Sequence, residues 1–260
     1  MAITLRSRRE IELVRKAGRV VADVLSKLQE TAKPGVTTGQ LDAVASQMTA
    51  DAGVQALFRG VRSPVARSPF PACICTSVND QVVHGIPSQT AKLKDGDILS
   101  IDFGVKRDGY CADAAVTIAI GNISGHKRQL IEVTRQVLDM AIARSAPGVK
   151  WSDVAAKMQN YAESAGFSVV KDFVGHGIGR EMHEEPRVPN FVSEDLLADD
   201  IVLAEGMILA VEPMINAGTS DVKTLRNGWT VVTSDGKCSA HFEHTIAIVG
   251  KGCEVLTITE

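Results

Sequence analysis

Aromatic side chains make up only 4% of this 260-residue chain, too few to build the stacking platform that single-stranded nucleic acid needs. A large charge of one sign is also missing. The net charge of -3 excludes a general nucleic-acid or membrane-surface binder. No apolar run reaches the roughly 20 residues that span a bilayer. The N-terminus lacks the apolar stretch of a signal peptide, because Arg6, Arg8, Arg9 and Glu10 interrupt it. Five cysteines (Cys73, Cys75, Cys111, Cys238 and Cys253) are odd in number and lack the paired spacing of a zinc ribbon or disulfide frame. They read as the reduced thiols of a cytosolic protein. No linker or low-complexity segment divides the chain, so residues 1–260 are read as one domain. At 45% hydrophobic, it can bury one substantial core or two halves of one.

What is present begins with Ser7 followed by Glu10, a capping-box signature. Behind it Ile11, Val14, Val21, Leu25 and Leu28 recur at helical spacing up to Lys33-Pro34-Gly35. A second helix is expected over 38–52, burying Leu41, Val44 and Met48. Residues 54–72 hold three prolines and three arginines and read as a long loop. From 74 to about 120 the character is β. Segments 98–103 and 110–120 flank a four-residue turn at 106–109, a hairpin. Helices near 125–146 and 152–165 follow, with His126 read as a solvated cap residue. Strands are expected at 169–173, 207–211, 229–233 and 239–249. Helices then strands, twice over, in blocks 1–121 and 122–260, suggest an internally duplicated α+β domain.

Five residues suited to holding metal lie scattered along the strands: Asp102, Asp113, His176, Glu212 and Glu243. Four carboxylates with one imidazole suit a pair of divalent transition ions better than a structural zinc. The expected turn makes Asp102 and Asp113 direct cross-strand partners, an arrangement of like charges that needs a cation between them. The ordinary alternative is a register slip that leaves one aspartate in solvent. His176 and His183 sit in a loop with glycines at 175, 177 and 179. Arg180 stands where a dinucleotide fingerprint needs its third glycine, so the glycines read as giving close approach to a metal or substrate. A structural role for either histidine stays open. Alternation puts His241, Glu243 and Thr245 on one strand face, and Glu212 ends an apolar run. His84, with no ligand partner nearby in sequence, reads first as a satisfied loop histidine and second as a catalytic acid/base.

These residues sit in motifs that resemble those of type I methionine aminopeptidases. The motifs are Cys75-Thr76-Ser77-Val78-Asn79 with His84-Gly85-Ile86-Pro87, the Asp102/Asp113 offset, and Gly175 to Gly179 with His183-Glu184-Glu185-Pro186. They continue with Glu212-Pro213-Met214 and with Ser239-Ala240 before Glu243-His244-Thr245. The resemblance spans essentially the whole chain. It implies the pita-bread fold, two helix and antiparallel-sheet halves related by a pseudo-two-fold axis.

The activity it implies is removal of initiator methionine before a small second residue, by a hydroxide between two divalent ions (Co, Mn, Fe or Zn). Asp113 and Glu243 bridge the ions in that family pattern, His176 and Glu212 complete one shell, and Asp102 chelates the other ion. His84, His183 and Glu212 are the catalytic groups, and Phe70, Cys75, Met182 and Trp229 join the two histidines in the substrate pocket. A monovalent cation near Asn79 and Ser239 is also implied. The same resemblance implies nascent polypeptide N-termini as partners, transient ribosome contact, a monomeric state and a cytoplasmic protein of bacterial or organellar type. Met1-Ala2 is itself a sequence such an enzyme processes. A proline-directed aminopeptidase of the same fold and a non-catalytic binding module are the competing readings.

The chain departs from the family pattern in places. Gly60-Val61 is separated from Phe70-Pro71 by extra residues that carry Arg62 and Arg67, and Val61 stands where an aromatic pocket wall is expected. His241 replaces a glutamine, and Met182 replaces a phenylalanine.

Overall fold

The computed structural model describes residues 3–259; Met1 and Ala2 lie outside them. The first half runs α1 (Arg8–Thr31), α2 (Thr38–Asp51), β1 (Gln55–Ala56), β2 (Cys75–Val78), β3 (Gln81–Val83), β4 (Ile98–Arg107) and β5 (Tyr110–Ala119). The second begins α3 (Gly125–Arg144), α4 (Trp151–Ser164), β6 (Ser168–Val169), β7 (Gly175–Gly177), β8 (Glu184–Val188) and α5 (Glu194–Ala198). It ends β9 (Ile208–Val211), β10 (Met214–Asn216), β11 (Val222–Thr224), β12 (Val231–Thr233), β13 (Ser239–His241), β14 (Glu243–Val249) and β15 (Gly252–Val255).

Local chemistry explains the helix starts. The Ser7 hydroxyl accepts from the Glu10 amide, and the Glu10 carboxylate accepts from the Ser7 amide at 2.9 Å. Two orphan donors are thereby satisfied. Thr37 and Gln40 repeat the arrangement at α2. The α3 cap is Ser124, not His126 as expected; His126 is exposed, with its ring 5.4 Å from that of Phe167.

Each helix pair covers its own apolar cluster. Ile11, Val14, Val21 and Leu28 of α1 pack with Leu41 of α2 and with Ile101, Phe103 and Val105 of β4. Leu130 and Val137 of α3 pack with Trp151 and Met158 of α4 and with Leu209, Val211 and Ile246. The expected duplication therefore appears as two cores joined by one sheet.

That sheet has nine strands, with β1-β4-β5-β14-β9-β7-β8 in order, β2 beside β4 and β15 beside β14. The β4–β5 register pairs Arg107 with Tyr110, so the turn is the two residues Asp108-Gly109 rather than four. Both have positive φ, 51° and 81°, as a type I′ turn requires. The tighter turn moves the pairing by two, which corrects the expected direct Asp102–Asp113 opposition. Asp102 faces Ala115 and Asp113 faces Gly104. The two aspartates are diagonal neighbours on one face.

The expected strand over 239–249 breaks at Phe242. Met214 pairs with His241 and Val211 with His244. One register therefore continues through the break, with Glu212 opposite Glu243 and Pro213 opposite Phe242. Proline has no amide hydrogen to return, and the chain changes sheets there. His241 ends up in the small β13-β10-β6 sheet and Glu243 in the large one. The expected loop 54–72 contains β1, too short to carry a pattern. Of the expected 169–173 strand only Val169 lies in a ladder, as the end of β6 (Ser168–Val169).

Candidate metal centre and substrate cleft

Five consecutive strands of the large sheet, β4, β5, β14, β9 and β7, each bring one of the five candidate ligands. Directly opposed residues of neighbouring strands share a face. One row across the sheet runs Cys75, Asp102, Ala115, Glu243 and, one step past β9, Glu212. The parallel row two residues along carries Gly104 with Asp113 and Thr245 with Ala210 and His176. Small residues alternate with the ligand types, leaving room over the sheet for the carboxylates. Thr245 closes the seam between β14 and β5, where its hydroxyl donates to the Asp113 carbonyl at 2.8 Å and accepts from the Asp113 amide at 3.0 Å.

The side chains converge. Single ligand atoms of Asp113, His176 and Glu243 all lie within 4.8 Å of one another. His176 Nε2 stands 3.5 Å from Glu212 Oε1. Asp113 and Glu243 are buried, while the Glu212 side chain keeps 14% of its exposure. Asp102 Oδ1, Asp113 Oδ1 and Glu243 Oε1 are buried without a hydrogen-bond partner among the described residues. Burial, then mutual repulsion, pushes Asp102, Glu212 and Glu243 well above the usual carboxylate range. Burial lifts Asp113 to about 7. Unpartnered acceptors crowded in this way fit a cation and little else.

The imidazole is prepared for the same task. His176 Nδ1 is 2.9 Å from the Gly177 carbonyl, which only accepts, so Nδ1 carries the hydrogen and Nε2 keeps its lone pair. Burial, then the neighbouring His183, lowers His176 to about 4, keeping it neutral. The loop glycines do a job that was not expected. A Cβ on Gly175 would meet the Ala210 carbonyl oxygen at 2.3 Å, and one on Gly177 would meet that of Glu185 at 2.2 Å. These two glycines admit neighbouring backbone, and Gly175 also lines the cleft that opens over the cluster.

A cleft of about 770 Å³ opens over the cluster. His183 lies edge-on to His176 with ring centroids 4.4 Å apart, and His84 lies edge-on to Phe173 at 5.6 Å. Burial holds both His183 and His84 below the usual histidine value, His84 at about 4. The apolar wall is Phe58, Phe70, Cys75 and Trp229, with Val61 and Met182 against it. Phe70 and Trp229 meet edge-to-face at 5.3 Å.

Residues 62–69 leave this wall intact. The Gly60 amide donates to the Phe70 carbonyl and the Phe70 amide to that of Val61, both at 2.8 Å. Residues 62–69 are thus looped out from a closed base, and Val61 lines the cleft. Trp229 Nε1 donates to the Ser68 carbonyl at 3.0 Å, while Arg62 and Arg67 are exposed.

Phe58, Phe173 and Thr4 also line the cleft and were not foreseen. Phe58 and Thr4 stand beside no candidate ligand, whereas Phe173 lies three residues before His176, a proximity that could have found it. His241 is buried with Nε2 lacking a hydrogen-bond partner among the described residues, and it does not line the cleft. Near Asn79, Lys127 Nζ donates to Asn79 Oδ1 at 3.0 Å and to the Gly96 carbonyl at 2.6 Å, and Ser239 donates its amide to the Asn79 carbonyl at 2.8 Å.

A helix-flanked antiparallel sheet bearing such a cluster is the framework of a metallopeptidase. Metallopeptidase family M24 matches residues 12–249, and the chain belongs to that family. Among its relatives, a methionine aminopeptidase of Clostridium perfringens is 46% identical over 98% of this chain and 99% of its own length. One of Aquifex aeolicus is 43% identical over 99% of both. The structure is similar to that of the Thermotoga maritima methionine aminopeptidase, with a TM-score of 0.92 and 39% identity, covering 99% of this chain and 100% of that one. The pita-bread α+β fold is thereby shared.

Proposed function

We propose that this chain is a dinuclear metalloaminopeptidase that removes N-terminal methionine from polypeptides whose second residue is small. The observation that carries the reading is the row geometry. Four ligand-type side chains on β4, β5, β14 and β7, and Glu212 one step past β9, face one cleft, whose wall is the soft and aromatic set Phe70, Cys75, Met182 and Trp229. Such a wall suits an unbranched thioether.

In this reading Asp102, Asp113, His176, Glu212 and Glu243 would together hold two divalent ions. Cobalt, manganese, iron and zinc all suit four carboxylates and an imidazole. Bound there, the ions supply Lewis acidity, acidifying water and polarising a carbonyl. Glu212 takes a proton from the nucleophile and passes it to the leaving amine. His183, edge-on to His176 at the cleft, donates to the developing oxyanion. His84, neutral through burial, contacts the scissile nitrogen. Residues 1–260 act as one catalytic domain, since one sheet runs through both halves.

The monovalent cation implied near Asn79 and Ser239 belongs to the same proposal, as do a monomeric state, a cytoplasmic location and transient ribosome contact. No helix among the described residues is long and apolar enough to cross a membrane.

The test is turnover of a Met-Xaa-Ser peptide series by metal-free protein loaded with each ion in turn, beside an Ala-Pro peptide. Methionine release that falls as Xaa grows, and that Asp113→Asn and Glu243→Gln abolish in folded protein, supports the reading. Faster Ala-Pro cleavage, or no methionine release with any ion, overturns it.

A further inference from the structure

The His183 loop is held from outside the catalytic cluster by the N-terminal segment. Arg6 is nearly buried, with its side chain 8% exposed, and its Nη2 reaches both Glu184 oxygens at 2.8 and 2.7 Å. Glu184 follows His183 directly. Its Oε1 accepts from the Arg180 amide at 2.7 Å and the Glu181 amide at 3.2 Å, so one carboxylate closes the turn that carries Met182 and His183. The guanidinium lies against Gly179, where an added Cβ would stand 2.6 Å from Nη2 and 2.9 Å from Nε.

Arg6 itself is anchored. Its amide donates to the Gly206 carbonyl at 2.7 Å, and its Nη1 is 3.6 Å from Glu10 Oε1. Two residues earlier, Thr4 lines the cleft.

We propose that Arg6 is a positioning residue, acting through Glu184 to hold His183 beside His176. The physical reason is the sharing of one carboxylate. Glu184 caps two loop amides only while its charge is desolvated against a fixed cation. Without the guanidinium, hydration draws the carboxylate outward and leaves both amides without acceptors. His183 then loses its place relative to the reacting carbonyl, and a displacement of about 1 Å is enough to slow chemistry. Substrate affinity depends mainly on Phe70, Cys75 and Trp229 and on the cluster, outside the turn that Arg6 supports. The loss therefore falls on kcat. The Arg6→Lys substitution keeps a charge but not the planar group that rests on Gly179.

This inference rests on the peptidase reading, and one readout is independent of it. The test compares wild-type protein with Arg6→Ala, Arg6→Lys and Glu184→Gln. Each is measured for Met-Ala-Ser turnover with Mn(II), well below the melting temperature of every variant. Amide hydrogen exchange at Arg180 and Glu181 is measured in the metal-free proteins. Arg6→Ala is expected to lower kcat by about tenfold or more with KM within about twofold, and to speed exchange at both amides by about tenfold. Arg6→Lys recovers part of each. Unchanged exchange at both amides, or unchanged kcat in an active enzyme, overturns the proposal. A wild-type protein inactive on every methionyl peptide sinks the peptidase reading instead, and the exchange result still decides whether Arg6 holds the loop.

Discussion

Asp113 faces Gly104 across the β4–β5 ladder, and the missing side chain at 104 is the space its carboxylate uses. A Cβ there would stand 3.0 Å from Asp113 Oδ1 and 3.1 Å from Leu57 Cδ1. Gly104→Ala is therefore expected to weaken Mn(II) binding by about tenfold, with a stability loss of about 1–2 kcal/mol from local overpacking. Titration calorimetry beside thermal unfolding checks it; unaltered metal affinity would show that the glycine is not needed for the Asp113 pose.

Removal of metal should make stability fall as pH rises above the histidine range. Asp113 is lifted from 3.8 to about 7 by burial, and Asp102, Glu212 and Glu243 shift the same way. The folded metal-free state thus holds protons that the unfolded chain releases above about pH 4. A raised pKa gives stability at low pH that is lost as pH climbs through the folded value. The buried histidines His84, His176, His241 and His244, held at about 3 to 4, give the opposite slope up to the unfolded value of 6.5. The melting temperature of chelator-treated protein is therefore expected to fall from about pH 6.5 to about pH 8. Metal at about one hundred times its Kd should restore roughly 2.7 kcal/mol. A metal-free protein whose melting temperature rises over that range contradicts the assignment.

Trp229 separates pocket from metal site. Trp229→Ala removes the edge-to-face partner of Phe70 and the bond to Ser68. Turnover of Met-Ala-Ser should lose at least about tenfold in kcat/KM, mostly through KM. Mn(II) affinity should stay within about twofold, because the indole packs in the apolar wall with Phe58, Phe70 and Cys75 and donates to Ser68, none of them a candidate ligand. Equal losses in both would mean that the wall supports the cluster.

At the chain's start, Glu10 is held at about 2 by the Ser7 amide and hydroxyl and by the Tyr110 hydroxyl. Glu10→Gln should cost about 0.5–1 kcal/mol at pH 7, the scale of a capping and helix-end charge interaction. A depressed carboxylate stabilises above its unfolded value of 4.5 and loses that contribution as pH falls through about 2. The gap between the two proteins should narrow across that window. Acid-titrated thermal unfolding measures it, and a gap independent of pH would rule out the charge as its source.

The candidate ligands were readable because their chemistry is local to each residue. Asp102, Asp113, Glu212 and Glu243 are carboxylates in apolar strand contexts, where an unpaired charge is expensive. The capping box of Ser7 and Glu10 was readable for the same reason, since its partners are three residues apart. The Asp102–Asp113 register was misjudged because turn length shifts every pair, and Asp108-Gly109 admits both positive φ angles. The break at Phe242 went unseen because alternation describes one strand and cannot report that Pro213, on another, ends the shared ladder.

Sequence by itself determined which residues bring carboxylate, imidazole and thioether-compatible surfaces, because side-chain chemistry and short-range hydrogen bonding travel with the residue. Only the tertiary structure decided how they meet. It set Glu212 opposite Glu243, spaced the ligands with Ala115, Gly104 and Ala210, looped out residues 62–69 without displacing Val61, and placed Arg6 on Gly179. Those relations join segments far apart in the chain, and they follow from ladder register and close packing, which no local pattern encodes.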